Sequence, residues 1–584
     1  MHSLIILNIF KNLCGKFIKM RLELKKLSLV LLGLGLFVPE FSYSRSPIVP
    51  STNVQSIDST INKMSLEQKV GQLFIFGYAG STMSRTFSNK FRSYKPGGII
   101  AFKRNIKTPE QIASLNFDLQ KLSIDTTGLP AFIMVDQEGG TVTRIKSRPA
   151  PPSALAMGEA DNPELTQKVG LLTGKILDTL GFNMNLAPVV DLSDPFINNF
   201  IGNRAFGPDP QAVKVMGENF ARGLQASGII PTLKHFPGHG GIVQDSHHTM
   251  PKKLIGLEEL EKSDLVPFAH LANTKLPSAI MVAHVAFPNI DPSGLPATYS
   301  KVLVEQTLRG KMGYEGLIIT DDIEMTGAEK IQSVGERAIA AIEAGCDMIM
   351  VAWQPRHQKA AVSAVVDAVK AGRLPMARID QSVRRIVALK MGLSDKKLPD
   401  RINPKQLKIE MNRYLSDLKL VTNEISVANM EKSLRGYSFY ENSIDSLVPL
   451  VVMSADYQFY TSIKKSIPNP VEFVALKRGQ KNRLESLLNK KPQSLGIFYV
   501  TGVGTARILK NLDPEIKNRI FVINSYHPAV VENTRHYRAV ININTRNYST
   551  GQWIANYLIE NDRLPAEQKK KVRKISYKKP LAAD

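Results

Sequence analysis

The chain has 584 residues, 43% of them hydrophobic and 22% charged, with two cysteines and a formal charge of +23. That length exceeds what one core organises, so two domains are expected, with the composition of an ordinary globular protein. One cysteine, Cys14, lies in the leader and the other, Cys346, in an apolar run, which excludes an internal disulfide in the mature chain. Residues 1–44 carry six Lys/Arg against two acidic residues, which leaves +19 on the remainder. A basic surface suits anionic polymers or lipid headgroups. The lack of aromatic–basic interleaving in an exported chain argues against nucleic acid.

Residues 1–44 read as an export signal. A basic stretch begins at Met20-Arg21, and the apolar run 27–38 is too short to span a bilayer comfortably. Ser42-Tyr43-Ser44 supplies the small residues of a cleavage site. Met20 is an alternative start to Met1, and an uncleaved anchor is the alternative to cleavage. Residues 45–59 form a Pro/Ser/Thr-rich linker. Ser65 with Gln68 then opens a helix by a capping-box pattern.

From there one theme repeats: a short apolar strand, a polar loop, an amphipathic helix. Strands are predicted at 70–77, 98–102, 131–135, 184–190, 229–233, 279–283, 316–320 and 347–352, with helices at 163–180, 210–227 and 334–344 among the intervening segments. Eight such units over residues 60–395 predict an α/β protein with a TIM (β/α)8 barrel. A doubly wound open sheet would show a glycine-rich phosphate turn after its first strand, and none is there. Residues 396–445 read as a helical connector. Residues 446–560 read as a smaller α/β sandwich domain with strands at 447–453, 471–476, 495–500, 520–523 and 539–543. Residues 561–584 form a basic tail with seven Lys/Arg between Lys569 and Lys579.

The barrel reading makes a forecast about chemistry, because reactive residues sit where barrel strands end at the C-terminal face. Asp136 follows the third strand, in DQEGG. Asp191 ends the fourth, with Arg204 in the loop beyond. Lys234 and His235 end the fifth, His284 the sixth, and Asp321-Asp322 the seventh. Aspartates often cap the following helix, so no single one is specific, but five strand ends together are hard to obtain by chance.

The stretch 233–251, LKHFPGHGGIVQDSHHTMP, holds four histidines in a glycine-broken loop. A polar surface loop does not explain so many imidazoles. His235 and His239 have the spacing of metal ligands on a helix, but Phe-Pro-Gly between them is a poor helix. Acid/base chemistry fits better, with Asp245 orienting His247 and raising its proton affinity. Retaining glycoside hydrolysis needs a carboxylate nucleophile and a proton donor at the leaving oxygen. Asp321, at the end of a buried strand, is read as the nucleophile. Asp322 is read as its structural neighbour, because side chains alternate on a strand. The reverse assignment stays open until the strand register is known.

KHFPGHG with DSHHTMP, VDQEGG-x-V-x-R, IGNRAFG, MVAH and ITDDIEM together resemble glycoside hydrolase family 3, in its β-N-acetylglucosaminidase branch, over roughly residues 60–395. The resemblance implies Asp321 as nucleophile, the His247–Asp245 pair as acid/base, and Asp136, Arg144, Arg204, Lys234, His235 and His284 as sugar-binding residues. It implies no metal or cofactor. The single-domain cytoplasmic members lack an export signal and a second domain, so this chain looks like the exported two-domain type. A GlcNAc-containing oligosaccharide or muropeptide is the implied substrate, with the basic tail offering weak contact to an anionic wall or membrane surface. Three alternatives compete: a β-glucosidase, a phosphorylase of the same family, and a non-catalytic exported wall-binding protein. A metal-dependent amidohydrolase would place His-x-His at the first strand, and residues 70–78 contain no histidine.

Overall fold

The computed structural model describes residues 53–147, 149–194, 200–242, 250–274, 276, 279–394, 403–435, 450–454, 461, 471–475, 481–490, 495–500, 503–517, 519–524 and 539–542. The leader, the basic tail, and Asp245 and His247 of the histidine loop lie outside the described residues.

Eight parallel strands close on themselves. They are β1 (Phe74–Gly77), β2 (Gly98–Ala101), β3 (Phe132–Val135), β4 (Met184–Asn185), β5 (Ile230–Phe236), β6 (Ala279–Val282), β7 (Leu317–Asp322) and β8 (Met348–Val351). They neighbour one another in chain order, and β1 pairs with β8 through Phe74 and Ile349 to complete the ring. Nearly every strand residue is buried, as expected where helices cover the outside and side chains fill the inside. The barrel is therefore the α/β fold expected from the repeating units.

Four strands differ from their predicted spans by two residues or more at one end. The first is shorter, because 70–72 belong to the helix Leu66–Gln72. That helix opens at Ser65, which accepts from Gln68 N at 3.2 Å while Gln68 Oε1 accepts from Ser65 N at 2.9 Å. A short apolar run does not reveal where helix becomes strand. The fourth strand stops at Asn185. Pro188 has no N–H for a ladder, and pairing survives beyond it only as a bridge between Val189 and Lys234. The fifth and seventh run longer than expected, so Lys234, His235, Asp321 and Asp322 lie on the last strand positions themselves. The placement is more rigid than a loop would be.

After the barrel, the helix Pro404–Arg435 lays Leu407, Met411, Leu418, Val421 and Ile425 into the barrel's own apolar core. Asn429 Nδ2 donates to Ala156 O at 2.9 Å. A second, separate core lies on a five-stranded parallel sheet: β9 (Leu450–Ser454), β10 (Val471–Ala475), β11 (Leu495–Val500), β12 (Ile520–Asn524) and β13 (Ala539–Asn542). Their order is β10-β9-β11-β12-β13.

Candidate active site

The C-terminal end of β5 organises the site. Lys234 is almost fully buried and its ammonium meets two carboxylates, Asp136 Oδ1 at 2.8 Å and Glu138 Oε1 at 2.7 Å. Glu138 in turn receives both prongs of Arg204, Nε at 2.8 Å and Nη2 at 2.9 Å. The result is a continuous lattice of alternating charge, Asp136–Lys234–Glu138–Arg204, with Arg144 Nη2 3.7 Å from Asp136. Burial alone would raise the Glu138 pKa, but Arg204 and Lys234 hold it well below the carboxylate range. Arg204 is pushed above its ordinary value, since the field of Glu138 outweighs the burial that opposes its charge.

The strands hold these groups by side-chain amides that imitate backbone. Asn185 Oδ1 accepts from Gln137 N, and its Nδ2 donates to Gln137 O, both at 3.0 Å, extending the β3–β4 ladder past its end. Gln137 Oε1 accepts from the backbone N–H groups of Arg144 and Ile145 at 2.9 and 3.0 Å. Glu138 and Arg144 are thereby fixed relative to each other by a short hairpin.

Asp191, fully buried, anchors the histidine segment. Its Oδ2 lies 2.7 Å from His235 Nδ1, and its Oδ1 accepts from His235 N at 3.2 Å and His239 N at 2.7 Å. Burial opposes its ionisation, yet the His235 ring and these N–H groups bring its pKa down to about 2. With Nδ1–H donating to Asp191, His235 Nε2 can accept from Arg204 Nη2 at 3.4 Å. His239 stands edge-on to His235 with ring centroids 5.9 Å apart. Its buried ring nitrogens have no hydrogen-bond partner among the described residues. Burial and the neighbouring His235 push its pKa down to about 4. Gly240 is required by crowding: a Cβ there would lie 1.6 Å from Leu192 O.

On β7 the two aspartates diverge. Asp322 Oδ1 turns toward β8, accepting from Ala352 N at 3.3 Å and Glu324 N at 3.1 Å. Burial, with Glu324 and Asp321 nearby, pushes its pKa up to about 8. Asp321 is partly exposed and lies in the field of His284, His235 and Lys234. Burial opposes its charge, but that field and the Asp322 N–H hold its pKa below the usual carboxylate range. His284 bridges strands: Nε2 donates to Asp322 O at 3.0 Å while Nδ1 faces the Thr298 hydroxyl at 2.8 Å. Among the described residues no cluster of three or more His, Cys, Asp or Glu is arranged to hold a metal ion.

A model of the glycosyl hydrolase family 3 N-terminal domain matches residues 65–389, more than half of the chain and the whole of this barrel. The chain belongs to glycosyl hydrolase family 3. It is 39% identical over 258 residues to a β-hexosaminidase of Pseudomonas aeruginosa, covering 44% of this chain and 74% of that one. A family 3 β-N-acetylglucosaminidase from Paenibacillus superposes with TM-score 0.73 at 28% identity, over 86% of this chain and 97% of the other. NagZ from Neisseria gonorrhoeae, solved with N-trifluoroacetyl-D-glucosamine, aligns at TM-score 0.50 and 27% identity over 61% of this chain and 98% of that one.

In this family 3 glycoside hydrolase the barrel mouth brings together Asp136, Arg144, Arg204, Lys234, His235, His284 and Asp321, all expected from strand ends or motifs. Asp245 and His247 fall within 243–249, outside the described residues. Sequence reasoning gave no role to Glu138, the centre of the ionic lattice, although it lies inside the same DQEGG stretch. It also gave none to Glu324, which accepts from Trp353 N at 2.6 Å and Gln354 N at 3.1 Å and contacts His357 Nδ1 at 2.7 Å. Glutamate two residues past a strand carries no local signal of that kind.

Proposed function

We propose that the protein is a retaining exo-β-N-acetylglucosaminidase that releases terminal, non-reducing β-linked GlcNAc. The observation that carries this reading is Asp321. Its carboxylate is kept ionised by His284, His235 and Lys234 at the end of a buried strand, facing a lattice of donors and acceptors suited to sugar hydroxyls. The names borne by the relatives, and the N-acyl glucosamine in the Neisseria structure, support the N-acetylglucosamine specificity.

The chemistry follows in two displacements. A carboxylate oxygen of Asp321 bonds to the anomeric carbon as the glycosidic C–O bond breaks, and His247 gives its proton to the leaving oxygen. Water then bonds to the same carbon while His247 takes its proton and Asp321 departs, so the β configuration returns. Asp245 orients His247 and stabilises its imidazolium. Lys234 donates to sugar hydroxyls and Asp136 accepts from them; Arg144, Arg204 and His235 hold their orientation. A pKa below the usual range suits Asp321 both as an ionised nucleophile and as a leaving group.

Murein-derived fragments met after export are the proposed natural substrate. The leader-like residues 1–44 and the basic residues 569–579 support that setting, the latter through weak attraction to an anionic wall or membrane surface. Cell fractionation with N-terminal sequencing of the mature chain tests it: an intact Met1 or Met20 in the cytoplasmic fraction would refute export.

Release of p-nitrophenol from its N-acetyl-β-glucosaminide tests the activity. Wild type turns over, and Asp321→Ala loses on the order of 10⁴-fold or more in kcat. Cleavage of the β-glucoside instead would assign the β-glucosidase activity. Production of a sugar phosphate when phosphate is added would assign the phosphorylase.

A further inference from the structure

We propose that Trp353, backed by Phe102 and Arg104, is a stacking platform for the sugar on the leaving-group side of the bond that Asp321 attacks. This rests on the glycosidase reading and extends it from the sugar that is released to the one left behind.

The platform stands on the active face beside the nucleophile strand. Trp353 follows β8, and β8 borders β7, with Met350 in register with Asp322. Trp353 is three residues beyond that level, roughly 10 Å at most along an extended chain. It therefore lies outward of the sugar seated against Asp321, where the rest of an exo-cleaved glycan emerges. Phe102 follows β2 immediately, so the two rings meet across the top of β1.

Its geometry is fixed before any ligand arrives. The Trp353 backbone N–H donates to the Glu324 carboxylate at 2.6 Å, tying it to the loop that follows Asp321. The indole stacks on Phe102 with centroids 5.2 Å apart and planes 27° from parallel. The Arg104 guanidinium lies 4.1 Å from the Trp353 ring centre and 4.6 Å from that of Phe102. These three distances place Phe102 and Arg104 on the same side of the indole. Arg104 is itself held, its Nε donating to Tyr78 O at 3.1 Å and its Nη2 to Ala352 O at 3.0 Å.

Trp353 is 57% exposed, the one aromatic among the strongly exposed large apolar side chains of the described residues. A lone exposed aromatic is common on protein surfaces. This one is immobilised by a carboxylate, a stacked ring and a guanidinium, so little entropy remains to be lost on binding. An electron-rich indole face matches the axial C–H groups of a β-linked pyranose, whose ring face is apolar and weakly positive. The committed occupant is therefore a carbohydrate ring, with no charge or acyl group required.

The test compares two substrates sharing the terminal GlcNAc. One is the β-1,4-linked GlcNAc disaccharide, the other N-acetyl-β-glucosaminyl azide, whose leaving group cannot reach the platform. Trp353→Ala is expected to lower the ratio of disaccharide to azide kcat/KM about tenfold, and Trp353→Phe to restore most of it. An unchanged ratio, whether both rates hold or both fall together, overturns the platform. The chain has one other tryptophan, Trp553. In a Trp553→Phe background the disaccharide should quench Trp353 fluorescence saturably. If wild type cleaves neither substrate, the glycosidase reading fails, and this titration alone decides the platform: quenching supports it and silence overturns it.

Discussion

Two buried ionic clusters occupy opposite ends of the same barrel, and they are built on different terms. At the N-terminal end Asp347, just before β8, is surrounded by Arg309, Arg378 and Arg385. It also accepts from Ser382 Oγ at 2.8 Å and from Ile318 N at 3.0 Å. The arginines spend further donors on backbone, Arg309 on Tyr314 O and Gly316 O, both at 2.6 Å, and Arg378 on Cys346 O at 2.8 Å. At the C-terminal end the lattice around Lys234 and Glu138 is as tightly paired, but its margin is not. Asp322 Oδ2, Arg144 Nε and both ring nitrogens of His239 are buried without a hydrogen-bond partner among the described residues. A satisfied cluster ties helices to strands and does nothing more. A cluster with unspent donors and acceptors at its edge costs stability and is retained where a ligand can use it.

The contrast can be broken from either end. Asp347→Ala leaves three arginines around an empty site and should cost about 3–5 kcal/mol of stability by denaturant titration. The kcat of the folded fraction should stay within about twofold, since nothing near the mouth changes; a loss of kcat out of proportion to unfolding would refute a purely structural role. Glu138→Gln keeps the shape of the lattice but removes its central charge. It should lower kcat/KM by about 10²-fold, the fold-change of about 2–3 kcal/mol. Its stability cost should be smaller than that of Asp347→Ala, because Arg204 and Lys234 can draw water from the open mouth. Equal melting losses in the two variants would erase the distinction.

A subtler effect concerns pH. Asp322 titrates near 8 in the folded state, far above an unfolded aspartate near 4, so the native state binds the extra proton between those values. Its contribution to stability is greatest below pH about 4 and is lost as pH rises toward about 8. Asp322→Asn, which cannot ionise, should flatten that decline in melting temperature. Asp191 runs the other way, its contribution being present above pH about 4 and lost as pH falls toward about 2. The smallest effect belongs to the surface. Arg373 bridges Glu336 at 2.7 Å and Glu343 at 3.3 Å with its side chain 46% exposed, and Arg373→Ala should cost below about 1 kcal/mol.

Much of this was legible before any coordinates. Eight apolar runs at regular spacing declared the barrel, because a parallel strand covered on both faces must be apolar throughout. The rule that chemistry gathers at strand C-termini singled out Asp136, Lys234, His235, His284 and Asp321. The Ser65–Gln68 cap was readable because capping is local, its partners lying three positions apart. What stayed hidden was non-local. Glu138 reads as one acidic residue among several until Arg204, 66 positions away, closes on it. Asp191 gains its role only when β4 and β5 lie side by side and His235 comes within 2.7 Å. Phe102 and Trp353, each unremarkable in its own loop, become one surface only because β1 pairs with both β2 and β8. Periodicity and caps are properties of neighbours along the chain, so sequence determined the elements and their reactive ends. Which side chains share a charge, a proton or a ring face depends on ring closure, and that was decided by the tertiary structure.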